Sequence, residues 1–233
     1  AMRFNASKKS LKMRLMRIFA LAFSLLVPAI PALLPSTSLA QVCAVPGADG
    51  PGSLSGIVNT YYPGSGTAFA GSGSVSVGTI DGRGAATPIA AGDLVLIMQM
   101  QDALINTNNS TSYGGSSATG QGYTLLNSAG LYEYAVAAGP VSGGVLPLTS
   151  GLLNTYNTGT PSSTQGQRRF QVIRVPQYST ATITGTVTSP PWNGSTGGVV
   201  AFDVAGQLNW GGQGVNVTGR GFRGGGGQCS GSD

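Results

Sequence analysis

The sequence contains no histidine. That absence removes Ser-His-Asp and Cys-His catalysis and every histidine-ligated metal centre. Charge is scarce as well: 8% of the 233 residues are charged, against roughly 25% in ordinary soluble domains. No long acidic or basic tail is therefore present. Lysine occurs only as Lys8, Lys9 and Lys12. Nothing downstream can act as a Walker lysine, a Schiff-base lysine or the base of a Ser-Lys dyad. Serine is abundant, but no GxSxG elbow occurs. Two cysteines, Cys43 and Cys229, cannot by themselves form a structural zinc site. The GGxGxDxUx and EF-hand calcium patterns are also missing. No cofactor or metal is expected.

Charge is also uneven. Arg3, Lys8, Lys9, Lys12, Arg14 and Arg17 open the chain without a single acid among them. From Ile18 to Leu34 the sequence is apolar apart from Ser24, Pro28 and Pro31, and Ser38-Leu39-Ala40 follows. A basic stretch, an apolar stretch and a small-x-small ending make a secretory signal peptide over residues 1–40, cut after Ala40. The competing reading, an uncleaved anchor, needs about 20 apolar residues and tolerates this pair of prolines poorly. The whole chain carries +5, but residues 41–233 keep six arginines and seven acids, a net −1. A nucleic-acid partner is rejected on that ground. No membrane span is expected in the mature chain, which is placed outside the cytoplasm.

All 38 glycines lie beyond residue 40, about a fifth of that part against the usual ~7%. They follow no Gly-X-Y period, so collagen is excluded. Between them recur apolar runs of strand character: Ser74–Ile80, Asp93–Gln101, Leu131–Ala137, Phe170–Val175, Thr180–Thr188, Val199–Val204 and Val215–Thr218. Thr180–Thr188 alternates cleanly, with Ala181, Ile183 and Val187 on one face and threonines on the other, which predicts a strand with one covered face. Leu94–Met98 is apolar on both faces and belongs inside a sheet or sandwich. The polar stretches Asn106–Gly122 and Thr155–Gln167 read as exposed loops. No amphipathic helix follows residue 40.

Ile183, Val200 and Val217 fall 17 residues apart, each in a strand candidate, as successive rungs of a β-solenoid would. The fold class is thus all-β: a partial β-solenoid, or a β-sandwich, with long Gly/Ser/Asn-rich loops. A β-rich region over 41–175 precedes a solenoid-like region over 176–233 that runs into a glycine-rich end.

GDLVLIMQMQ (Gly92–Gln101), RRFQVIRVPQYSTATI (Arg168–Ile183), PWNGSTGGVVAFDVAGQLNW (Pro191–Trp210) and GRGFRGGGG (Gly219–Gly227) occur in that order. Together they resemble the N-terminal glycine-rich region of large bacterial secreted surface proteins, of the adventurous gliding motility or adhesin type. The resemblance spans about residues 75–227. It implies an extracellular, β-rich, non-enzymatic scaffold, and it carries over no catalytic residues. It also implies that the chain is the N-terminal portion of a longer protein, since the sequence stops inside a glycine run.

Few residues suggest a site. Cys43 and Cys229 can pair outside the cytoplasm, closing a loop of nearly the whole domain, or Cys229 can pair elsewhere. Gly219–Gly224 satisfies GxGxxG, but four glycines follow where a dinucleotide site needs a helix, so the match is compositional. The acids Asp93, Asp102, Glu133 and Asp203 sit in or beside strands, where a polysaccharide-cleaving site would need two to converge. Trp192 and Tyr178 are the candidate sugar contacts; against that stands core packing for Tyr132, Tyr134 and Trp210, and loop anchoring for Trp192 after Pro190-Pro191. The function expected is a non-enzymatic structural or adhesive module of a bacterial cell surface, with an extracellular polysaccharide or protein as partner. The alternative is a secreted carbohydrate-active or carbohydrate-binding β-solenoid protein.

Overall fold

The computed structural model describes residues 44–106 and 122–221. Among them the regular structure is all strand, with no helix, so the chain has the all-β class that glycine punctuation and period-two runs require. The strands are β1 (Gly52–Ile57), β2 (Thr60–Pro63), β3 (Thr67–Ala68), β4 (Ser74–Ser76), β5 (Leu94–Gln101), β6 (Leu104–Ile105), β7 (Tyr123–Leu125) and β8 (Tyr132–Val136). They continue with β9 (Val145–Pro147), β10 (Tyr156–Asn157), β11 (Arg169–Val175), β12 (Gln177–Tyr178), β13 (Ala181–Thr188), β14 (Asp203–Val204) and β15 (Leu208–Asn209).

The largest sheet has the order β2-β11-β5-β8 and is antiparallel throughout. β5 lies inside it, as its two-sided apolar sequence predicts. Val95 and Ile97 face one core with Val172, Phe170 and Ala135. Leu94 and Leu96 face a second with Tyr61, Ile173 and Val175. The short pairs β4–β9 and β3–β10 close over the first core and add Val75, Leu146 and Tyr156 to it.

A second architecture is parallel. β1, β13 and β15 form one sheet in that order, with Gly52 beside Ala181 and Ala181 beside Leu208. β12 and β14 pair in parallel next to it, and Val187 bridges Val215 in the same sense. The amides of Asp49 and Ser179 bond to the carbonyls of Gln177 and Gly50 and extend the stack to the turn before β1. Three levels of chain are thus layered, with the register between the first two shifting at a bulge between Leu54 and Gly56. Leu54, Ala181, Ile183 and Val187 point inward from them, and the threonines of β13 point away. The alternation read from the sequence holds. The 17-residue spacing does not: residue 181 meets residue 208, and Gln177 meets Asp203. Between the upper two levels the chain makes a long excursion through Pro190–Gly198. Between the lower two runs the entire antiparallel part, so β1 is bonded to β13 across the division at residue 175.

Three further expectations change. Val199–Val204 forms a strand only at Asp203–Val204. Before that, side chains take the place of a neighbouring strand: Asn59 bonds both the N–H and C=O of Ala201, and the Tyr61 hydroxyl donates to the Val199 carbonyl at 2.6 Å. Thr155–Gln167 is not simply an exposed loop, because Tyr156 is fully buried against Phe170, with ring centroids 5.8 Å apart. Val215–Thr218 contributes one bridge and no strand. The expected leader over residues 1–40, most of the 106–122 stretch, Cys43 and Cys229 lie outside the described residues.

Candidate functional site

A carbohydrate-cleaving reading depends on where the carboxylates lie. Arg174 projects from β11, where its backbone pairs with Val95 of β5. Its Nε and Nη2 donate to the two oxygens of Asp93, at 2.8 and 2.9 Å, and Nη2 also reaches Asp49. Asp93 accepts the Ala90 amide and Asp49 the Gln177 amide, each at 2.7 Å. Burial opposes the guanidinium charge, and the two carboxylates more than offset it, so its pKa lies above the ordinary arginine value. This triad ties the antiparallel sheet to the first level of the stack.

A second network lies at Asp81. Its carboxylate accepts from Arg83 Nε and Nη2 and from the Thr196 hydroxyl, the last at 2.6 Å. Arg83 in turn donates to the Pro191 carbonyl at 2.8 Å. The Arg83 hydrogen bonds outweigh desolvation and hold the Asp81 pKa down at about 2, from 3.8. A depressed carboxylate stabilises the fold above its unfolded pKa, and that stability is lost as pH falls. Between about pH 4 and pH 2 this group is expected to lose on the order of 1 kcal/mol, after allowance for the half-exposed arginine. Urea midpoints measured across that range should fall less steeply in Asp81→Asn than in the native chain; equal slopes would remove Asp81 from the account.

Of the remaining described acids, Glu133 and Asp102 bond loop amides, and Asp203 bonds across the β12–β14 pair. Glu133 is buried in β8 and accepts the amides of Leu153 and Asn154 at 2.8 and 2.9 Å. Burial, and then the Glu133 charge, push the nearby Tyr156 hydroxyl far above its ordinary pKa. Asp102 accepts the Ser128 amide at 3.2 Å, and Asp203 receives the Gln177 side-chain amide at 3.5 Å. Asp93, Asp102, Glu133 and Asp203 thus share no partner. Among the described residues, no three acids or cysteines are grouped to hold a metal ion.

Of the aromatic residues, Trp192 anchors its loop and Tyr134 packs against the second core, as expected, whereas Tyr132 and Trp210 do not enter the core. Trp192 is 9% exposed, and its amide donates to the Arg220 carbonyl at 2.8 Å. Tyr178 is half-buried against Gly52, where an added Cβ would lie 2.5 Å from its ring. Trp192 is too buried to stack on a sugar, and one side of the Tyr178 ring lies over Gly52. Tyr132 and Trp210, expected inside, are 59% and 50% exposed. β8 is an edge strand whose Glu133 and Ala135 face inward, which turns Tyr132 outward, edge-on to Tyr134 at 6.4 Å. The buried Glu133 is the hidden signal: its inward turn follows from the two amides it caps, which no local pattern announces.

One concavity carries a free polar group. A groove of about 360 Å³ is lined by Tyr62, Val77, Gly78, Thr79, Ile80, Val141 and Gly144. Tyr62 is only 5% exposed, and its hydroxyl has no hydrogen-bond partner among the described residues. One wall is the tight turn Ser142–Val145, closed by two reciprocal backbone bonds of 3.0 Å and pinned to Val77 by the Val77 amide. No motif marks these residues in the sequence.

No family model matches the chain, and no curated protein matches it. Among solved structures it is similar to the gp54 tailspike of Acinetobacter baumannii bacteriophage AP22, determined in complex with A. baumannii capsular saccharide. That likeness has 13% identity and a TM-score of 0.28, and it covers 57% of this chain and 18% of the tailspike chain.

Proposed function

We propose that the chain is a non-enzymatic, extracellular structural and adhesive module of a bacterial cell-surface protein. The observation that carries this reading is the engagement of its carboxylates. Asp49 and Asp93 hold Arg174, Asp81 holds Arg83 and Thr196, and Glu133 holds the Leu153 and Asn154 amides. Acids bonded in this way fix loops, whereas glycoside hydrolysis needs a facing pair free to exchange a proton. The leader of residues 1–40 and the order of the glycine-rich segments support a place outside the cell. The mechanism is weak contact through a polar, Thr/Ser/Asn-rich surface, made effective by many copies held together.

Two measurements test this. An antibody against residues 41–233 should find the chain on the cell-surface fraction, and finding it free in the medium would count against the anchored role. The intact protein, immobilised on beads, should retain extracellular polysaccharide from its producing cells without releasing reducing ends or unsaturated products. Steady release of either product would overturn the non-enzymatic reading and leave a secreted carbohydrate-active protein in its place.

A further inference from the structure

We propose that the groove over Tyr62 binds a short, neutral saccharide, a reading that rests on the adhesive role above and gives it a specific contact. Its volume of about 360 Å³ stands at the small end of the roughly 300–1,000 Å³ typical of ligand clefts. None of its seven lining residues carries a formal charge. The charges next along the chain from Ile80, on Asp81 and Arg83, are paired with each other. A charged ligand would therefore lose hydration in the groove and gain no counter-charge.

What the groove offers suits a pyranose. Ile80 and Val141, half-buried at the edge of the core, give an apolar wall for the C–H face of a ring. The Tyr62 hydroxyl and the exposed Thr79 hydroxyl each donate and accept, which matches the dual character of sugar hydroxyls. The Tyr62 ring is locked in the core, so its hydroxyl is a fixed handle that loses little freedom on binding. The walls are equally set. Gly143 and Gly144, at φ 57° and 76°, form the two-residue turn that brings Gly144 against Val77, and the Gly78 amide bonds the Pro63 carbonyl at 2.8 Å. The site is open on one side, so a single sugar binds weakly and repeated copies supply avidity.

The test uses the intact protein and saturation-transfer NMR with titration. The probes are the methyl glycosides of glucose, galactose, mannose and N-acetylglucosamine, their common disaccharides, and glucuronate as the charged comparison. At least one neutral sugar should bind in the millimolar range, and more tightly than glucuronate. Tyr62→Phe keeps the ring and should weaken binding about tenfold, the effect of one hydrogen bond. Thr79→Tyr fills the groove from an exposed position and should abolish it, and this variant keeps the test decisive if Tyr62→Phe disturbs the core. Failure of every neutral sugar to bind at about 20 mM, or binding indifferent to both substitutions, overturns the proposal. A chain that still adheres to cell surfaces in that case loses only this site. Release of reducing ends would instead sink the adhesive reading, whatever the groove does.

Discussion

Replacing Arg174 by alanine lowers the thermal unfolding midpoint by roughly 6–12 °C, for a cost near 3 kcal/mol in a folded region of this size. The cost arises from what is left behind. Arg174 is buried, and its removal strands Asp49 and Asp93 with no counter-charge. Breaking a buried pair in this way costs about 3–5 kcal/mol, and the lower end applies because both carboxylates keep some contact with water. Lysine in the same place restores a charge but not the fork that meets both Asp93 oxygens, so it should recover only part of the loss. The triple change Arg174→Met, Asp49→Asn, Asp93→Asn should recover most of it, since asparagine still accepts the Gln177 and Ala90 amides. Calorimetry of the four proteins decides the matter. A loss of less than about 1 kcal/mol in Arg174→Ala would mean that water reaches the carboxylates freely.

How far the sequence announces this fold depends on the range of each interaction. β5 and β13 are legible because their periodicity is local: Leu94–Ile97 is apolar on both faces, and Ala181, Ile183 and Val187 alternate with threonines. The parallel register is not legible in the same way. Gly52 and Ala181 are neighbours in one ladder, yet the whole antiparallel sheet intervenes between them in sequence. A search for evenly spaced apolar residues therefore finds 183, 200 and 217, which do not pair. The acids are visible in the sequence, but their roles are not. Asp93 and Glu133 look alike beside strands, and only the distant Arg174 and the amides of Leu153 and Asn154 distinguish them. Tyr132 and Trp210 fail for the same reason: their rings suggest the core, but the fold leaves both exposed. Trp192 does anchor its loop after Pro190-Pro191, with its amide bonded to the Arg220 carbonyl. Tyr62, in contrast, gains meaning only from a groove whose walls come from residues 77–80 and 141–144.

Gly197→Ala should cost about 4 kcal/mol, an unusually large penalty for one methyl group, and lower the midpoint by roughly 8–16 °C. Three effects combine at this position. Gly197 has φ 102°, where an L side chain is strained by about 1–3 kcal/mol. An added Cβ would lie 2.7 Å from the carbonyl oxygens of both Pro190 and Pro191, and backbone cannot swing aside as a side-chain tip can. Gln171, fully buried in β11, also grips this residue at both ends: its Nε2 donates to the Gly197 carbonyl at 3.0 Å, and its Oε1 accepts the Gly197 amide at 2.9 Å. Any backbone shift that relieves the clash breaks those bonds inside the protein, where an unmet polar group costs about 1–3 kcal/mol. Gly50→Ala separates the effects, because Gly50 has φ 72° and nothing within 4 Å of the added atom. It should lose only about 1 kcal/mol, the conformational part alone. Equal losses in the two variants would assign the whole effect to φ and leave the Gln171 grip unsupported. A much larger loss at Gly197 explains why Pro191–Gly198 holds its shape without any strand. Asn193 caps the Ser195 and Thr196 amides, Thr196 meets Asp81, and Gln171 seals Gly197. The excursion between two levels of the parallel stack is thereby fixed from below by the antiparallel sheet.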